Sequence, residues 1–250
     1  MPNDGIRRTA LGQWIVDGDH GVGRLVESHA TFEHPDNLRA IVSVALAIPE
    51  GGIVVVAGAC IGDQTVTYSQ LVGADGHVFA FEPHPLSYRA LVKNVARLRN
   101  VHTANVALSD TPGTSVLRMA PNVGASYVSG GQGEPWPTHR VDLVRLDDAL
   151  LAVDRLDFIH LDGEGMEPRI LAGSERLIRT FKPTLMVEVT DQWLQRYGSS
   201  AKALLQQIAG LGYFTLLKLQ PNPVQFDVVA MPLERVSQLP EPVREAVYAG

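Results

Sequence analysis

The chain has 250 residues, 45% of them hydrophobic, which is ample for one α/β domain and tight for two. Its 21 basic and 27 acidic side chains leave a net charge of -6, so there is no electrostatic footprint for nucleic acid or an anionic membrane. A single cysteine, Cys60, excludes an internal disulfide and a cysteine-based zinc site, and suits a reducing compartment.

Residues 1–5 lack a basic-then-apolar signal pattern, and the most apolar run, 40–48, is interrupted by Ser43 and too short to span a bilayer. A soluble cytoplasmic protein is expected. Residues 1–50 read as a lead-in packed on the core, with a short strand at Trp14-Ile15-Val16 and a helical stretch from Arg24 to His29. Pro35-Asp36-Asn37 then caps a stronger helix with Leu38, Ile41, Val42, Ala45 and Leu46 on one face, ended by Pro49 and Gly51-Gly52. The main unit is expected over residues 51–232, with 233–250 a peripheral tail.

A strand over 53–57 breaks into Gly58-Ala59-Cys60-Ile61-Gly62 and a helix from about Asp63 to Val72. Such a turn brings backbone close to a ligand and aims free N–H groups at a carboxylate or phosphate. Asp75-Gly76 turns into a second strand, 77–81, which delivers Glu82 at its end, where nucleotide-binding α/β folds place an acid for ribose hydroxyls. The next helix carries Leu86, Ala90, Leu91, Val95 and Leu98; its Arg89, Lys93, Arg97 and Arg99 read as a solvated face. A third strand is expected over 101–107, running into Leu108-Ser109-Asp110.

Residues 111–140 hold Pro112-Gly113, Gly124, Gly130-Gly131, Gly133 and Pro135-Trp136-Pro137, and predict a hairpin with a long irregular loop. Strand character returns at 141–145, and Leu146-Asp147-Asp148 starts a short helix. The segment 156–165 reads as a strand running into an acidic, glycine-broken turn, followed by a helix over 168–180. A buried strand at 185–189 delivers Glu188, a helix spans 201–209, and Tyr213–Lys218 with Phe226–Ala230 flank Gln220-Pro221-Asn222-Pro223 as an antiparallel hairpin. Alternating strands and helices predict a mostly parallel sheet with helices on both faces, closed by that hairpin.

Ligands of such sheets bind outside the carboxyl ends of the strands. Glu82, Asp162 and Glu188 stand at such ends, with Glu164 just beyond. Taken together, Gly58–Gly62, Phe81-Glu82-Pro83, Ala107-Leu108-Ser109-Asp110, Leu146-Asp147-Asp148, Asp162-Gly163-Glu164-Gly165 and Val187-Glu188-Val189 resemble the FkbM-type family of S-adenosylmethionine-dependent methyltransferases over about residues 50–220. The resemblance implies a Rossmann-like class I fold, seven strands with the last antiparallel, and O-methylation of a hydroxyl on a sugar, polyketide or other small natural product.

It further implies that the turn of Gly58, Ala59, Cys60 and Gly62, with Thr65 behind it, holds the amino-acid end of the cofactor. Glu82 and Pro83 would meet the ribose, and Leu108, Ser109 and Asp110 would border the adenine. Asp162 and Glu164 would lie near the transferring methyl. Val56 stands where the family usually carries Asp, Cys60 where it carries Asn, His160 where it carries Lys and Gly163 where it carries Val.

An acceptor hydroxyl needs a carboxylate or imidazole for its proton. Asp162, Glu164, Glu188 and His160 are the catalytic candidates, and a divalent metal bridging two of the acids is the alternative route to an acidified hydroxyl. His139 and Trp136 in the irregular loop could reach substrate, and His20 and Glu33 could roof the pocket. Cys60 reads as a small turn-filling residue rather than a thiolate nucleophile. Two rival functions follow from the same residues: a catalytically silent scaffold, kept open by Val56, and a nicotinamide-dependent dehydrogenase, disfavoured because its turn expects Gly-x-Gly-x-x-Gly.

Overall fold

A computed structural model of the chain describes residues 5–10, 12–19, 21, 24, 26, 48–129, 133–219 and 225–236. The expected helix over 38–46, most of that over 24–29, His20, Glu33 and the tail beyond 236 lie outside them. Strands β1 (Ile6–Arg8) and β2 (Trp14–Val16) form an antiparallel pair. Ile6, Ile15 and Val16 pack against Ile61 and Ala90, so this hairpin closes over the back of the glycine turn.

The organising strand is β3 (Ile53–Ala57), five apolar residues buried on both faces. It leads through the turn into α1 (Asp63–Val72), then β4 (His77–Phe81), α2 (Pro85–Asn94) and β5 (Val101–Ala104). His84 caps α2, its ring accepting from the Ser87 amide, and Pro85 sits at a first-turn position where no N–H is required. On the other side of β3 come β10 (Phe158–Leu161), α4 (Glu167–Ala172), α5 (Glu175–Phe181), β11 (Thr184–Thr190), α6 (Asp191–Arg196), α7 (Ala201–Gly210), β12 (Tyr213–Leu219), β13 (Gln225–Pro232) and α8 (Leu233–Val236). The seven-stranded sheet has the order β12-β13-β11-β10-β3-β4-β5. Every pairing is parallel except those of β13, which runs antiparallel between β11 and β12.

Apolar layers cover both faces. Tyr68, Val72, Leu91 and Val95 of the α1–α2 side pack on Val54, Val56, Phe158 and Met186. Ile170, Leu171, Leu177, Ile178, Leu204 and Ile208 pack on Val55, Ile159, Leu185 and Val187 of the opposite face. Among the described residues no helix is long and apolar enough to cross a membrane.

Between β5 and β10 the chain forms a second sheet, order β6-β9-β7-β8, from β6 (Ala107–Leu108), β7 (Gly113–Arg118), β8 (Tyr127–Ser129) and β9 (Thr138–Val144). A short turn of 3₁₀ helix at Val123–Ala125 precedes β8, and α3 (Leu146–Ala149) follows β9. Two sequence expectations are corrected here. The strand over 101–107 is two strands in different sheets: β5 stops at Ala104, because Asn105 turns away to donate its side-chain amide to the carbonyls of Glu82 (2.7 Å) and Pro83 (3.2 Å). The helix over 168–180 is also two, broken at Gly173, where a Cβ would lie 2.0 Å from the Ser109 carbonyl oxygen. Asp147 starts the second of them, its carboxylate accepting from the amides of Arg176 and Leu177 (both 3.0 Å).

Candidate active site

The glycine turn is stitched to its neighbours from both sides. Gly58 and Ala59 donate their N–H groups to the Phe81 carbonyl at 3.0 Å each, and Ala57 accepts from the Asp162 amide at 3.0 Å. Gly58 has φ +81°, and a Cβ there would lie 1.8 Å from the Asp162 carbonyl oxygen, so only glycine lets the two strand ends come this close. Cys60 also sits in the left-handed region, φ +47°. Its N–H donates to one oxygen of Glu82 at 2.7 Å, while the His84 N–H donates to the other at 2.7 Å. One buried carboxylate thus ties the ends of β3 and β4 together. Burial pushes the Glu82 carboxyl up to about 7 in spite of those two amides. The Cys60 thiol is pushed up by burial and by Glu82, which removes it as a thiolate nucleophile.

Across the turn stands a carboxylate cluster. Oxygens of Asp162, Glu164 and Glu188 lie within 4.8 Å of one another. Glu188 Oε1 accepts from Gln225 Nε2 at 2.6 Å, and burial raises its carboxyl above the usual range. Glu167, at the start of α4, accepts the amides of Gly163 (2.7 Å) and Gly165 (3.3 Å) and so fixes the loop that carries Glu164. Glu164 itself is held at φ +52°, a conformation unfavourable for a residue with a side chain, and its Oε2 is buried with no hydrogen-bond partner among the described residues. Burial, then Glu188 and Glu167, push Glu164 up to about 9, with Arg196 opposing. Burial and then Glu188 raise Asp162 well above the usual carboxylate range, burial and then Glu188 bring Glu167 to about 8, and the same two causes bring Asp227 to about 7.

A cavity of about 240 Å³ joins the two halves. Gly58, Ala59, Cys60, Glu82, Pro83, Leu108, Asp162 and Glu164 line it, together with Asp63 and Gln64 at the start of α1; the second sheet roofs it with Leu117, Tyr127 and Val128. The remaining sequence candidates lie elsewhere. Glu188 belongs to the cluster but stands behind the lining residues. Gly62 ends the turn against Leu91, and Thr65 is buried in α1 with an unpartnered hydroxyl. The Ser109 hydroxyl donates to Asp110 at 3.1 Å, and Asp110 is exposed. His160 is buried on the α1 face, 3.2 Å from the Tyr68 hydroxyl, and burial lowers its ring to about 4, so it is neutral. Val56, its register partner on β3, packs in the same apolar layer but also lines the cavity.

Sequence reasoning missed Glu167, Asp227, Tyr127 and Arg196. For Glu167 the available signal was an acid just ahead of Pro168 at a helix start. Asp227 follows Phe226 inside an apolar strand, and a charge in such a run is a sign of a buried partner. Tyr127 and Arg196 gave no signal, since both arrive through the packing of the second sheet.

A parallel sheet closed by an inserted antiparallel strand, a glycine turn after its first central strand and an acid at the end of the next define a class I S-adenosylmethionine-dependent methyltransferase. The carboxylate of Glu82 and the adjoining cavity, which the glycine turn lines, fit that cofactor. Residues 57–215 match the family described as the Methyltransferase FkbM domain, and the chain belongs to that family. No curated protein matches its sequence significantly.

Solved structures share the fold at low identity. Fibrillarin of Aeropyrum pernix, with natively bound S-adenosyl-L-methionine, is 15% identical with a TM-score of 0.50, covering 78% of this chain and 74% of that one. A putative rRNA methylase of Clostridium thermocellum is 12% identical, TM-score 0.52, covering 80% and 96%. The methyltransferase FkbM of Methylobacillus flagellatus KT is 14% identical, TM-score 0.50, covering 84% and 60%.

Proposed function

We propose that this methyltransferase acts on oxygen, methylating a hydroxyl of a small organic acceptor such as a sugar or polyketide-like natural product. The observation that carries the reading is Glu164: a strained residue on the cavity wall, opposite the glycine turn, with a buried carboxylate oxygen that nothing in the described protein satisfies. S-adenosylmethionine supplies a methyl group already activated on a sulfonium; its C–S bond breaks as the acceptor's C–O bond forms, leaving S-adenosylhomocysteine.

The chain's own work is to align, to exclude water and to take the hydroxyl proton. The Gly58–Cys60 turn holds the amino-acid end, Glu82 the ribose hydroxyls and Leu108 an edge of the adenine; Gly62, Thr65, Ser109 and Asp110 support those segments from outside the cavity. Glu164 receives the acceptor's proton on Oε2. A pKa raised to about 9 makes the ionised form a stronger base than an ordinary carboxylate but the minor form at neutral pH, so turnover is expected to rise with pH toward 9. The same three carboxylates suit a hard divalent cation, which would be held by Asp162, Glu164 and Glu188 and would acidify the hydroxyl directly.

Single-turnover methyl transfer with Glu164→Gln, beside calorimetric titration with S-adenosylmethionine, tests the assignment. The expected result is a rate about 10²- to 10⁴-fold lower with unchanged cofactor affinity. Near-normal turnover removes Glu164 as the base. Inhibition of the native protein by chelators selects the metal route, and failure of the native protein to bind the cofactor selects a silent scaffold.

A further inference from the structure

Next to the cavity lies a wider depression of about 720 Å³, whose walls include Ser115, Glu134, Arg169, Arg196 and Tyr197. It shares Tyr127, Val128 and Met166 with the cavity, so a molecule seated there is one side chain away from Asp162 and Glu164. Its character is set by arginine. The Arg196 guanidinium is clamped between the rings of Tyr127 and Trp193, 4.1 and 3.9 Å from their centroids. Its Nη2 donates to Glu134 Oε1 at 3.0 Å, while Nη1 is buried and unpartnered among the described residues. The Arg169 side chain makes no hydrogen bond or ion pair among the described residues.

Two guanidinium groups therefore face one carboxylate, and a net positive charge is left over in a pocket of a chain whose total charge is -6. Guanidinium forks match the geometry of carboxylate and phosphate, and a stacked arginine has lost most of the rotamer freedom that binding would otherwise have to freeze. A pocket for a neutral acceptor has no use for this arrangement, because unpaired cations are costly to cover with an uncharged ligand.

We propose that this depression is the acceptor subsite and that the acceptor carries an anionic group, carboxylate or phosphate, beside the hydroxyl that is methylated. The inference rests on reading the neighbouring cavity as the cofactor site. Arg169 supplies the free fork, and Arg196 supplies a fixed one, shared with Glu134.

The test uses the full chain saturated with S-adenosylhomocysteine, so that nothing turns over, and saturation-transfer NMR with D-glucuronate, D-glucose 6-phosphate and D-glucose at matched concentration. At least one of the two anions is expected to bind and the neutral sugar not; glucuronate alone identifies a carboxylate subsite, glucose 6-phosphate alone a phosphate subsite. Arg169→Gln, a surface change that leaves the core intact, is expected to weaken the bound anion about tenfold or more. Glu134→Gln removes the competing carboxylate and is expected to tighten it, an effect that general damage to the protein does not mimic. Equal binding of glucose, no binding of either anion, or indifference to Arg169→Gln overturns the subsite while leaving the methyltransferase reading in place. Calorimetry with S-adenosylhomocysteine on the same sample reports on that reading separately, and its failure overturns both.

Discussion

Replacing Gly58 with Ala puts one methyl group where the carbonyl of Asp162 now sits. The added Cβ would be 1.8 Å from that oxygen, and real contacts of this kind do not fall below 3.0 Å, so the ends of β3 and β10 must move apart by more than an ångström. The 3.0 Å bond from the Asp162 amide to the Ala57 carbonyl cannot survive such a displacement. Its loss contributes about 0.5–1.5 kcal/mol, and the left-handed φ of +81° adds roughly 1–2 kcal/mol for any residue with a Cβ. The sum is about 1.5–3.5 kcal/mol, which for a chain of this size lowers the melting temperature by roughly 3–14 °C. Because the shift also moves Asp162 relative to the glycine turn, methyl transfer should fall by about 10²-fold. Gly51→Ala is the matched control: its φ is +72° and nothing lies within 4 Å, so it meets the backbone penalty without the collision. Thermal melts, cofactor titration and turnover on both variants separate the two effects. If Gly58→Ala melts and binds like Gly51→Ala, the close approach of the two strand ends is not what fixes the site.

Glu82→Ala should weaken S-adenosylmethionine at least about tenfold, since it removes a charged acceptor and frees the amides of Cys60 and His84 that it now organises; an unchanged dissociation constant by calorimetry would contradict its role. The ligand-free protein should lose stability as pH rises from about 7 to 9. Glu164 and Glu167 are raised to about 9 and about 8, so over that window the folded state holds protons that the unfolded chain has already released. His84 and His160, both lowered to about 4, oppose this slope only weakly near pH 7 and not at all by pH 8, where their rings are neutral in both states. Melting temperatures that rise across this range would refute the buried carboxylates, and Glu164→Gln should flatten the slope. Val56→Asp, which restores the family's usual residue, should destabilise the ligand-free fold by roughly 2–5 kcal/mol, since the position is buried among Val54, Phe158 and Met186; tighter cofactor binding with no fall in melting temperature would show that the carboxylate turns to the cavity that Val56 lines.

The strands of the main sheet were legible because each is a short apolar run ending in a turn signal, and the acids at their ends follow from the same pattern. Glu82, Asp162 and Glu188 needed no three-dimensional information. What escaped the sequence depends on contacts between distant segments. The break at Gly173 exists because the Ser109 carbonyl approaches there, and helical periodicity runs straight through it. The second sheet is hidden because β7 and β9 bury few side chains, so their alternation is weak, and glycine and proline around them read as loop. The fixed Arg196 is a product of two rings brought from β8 and α6.

The insertion of β13 between β11 and β12 has a consequence for the order in which the site can come into being. The cofactor turn is complete once the chain has been made through Glu82, Asn105 and β10. Glu188, by contrast, is held by Gln225, 37 residues downstream, and lies in register with Asp227 on the same strand. On the ribosome the segments that line the cavity, which run to Ile170, are made well before the strand that pairs with Glu188. The segments that line the cavity and the strand that holds Glu188 in place are thus separated in the order of synthesis.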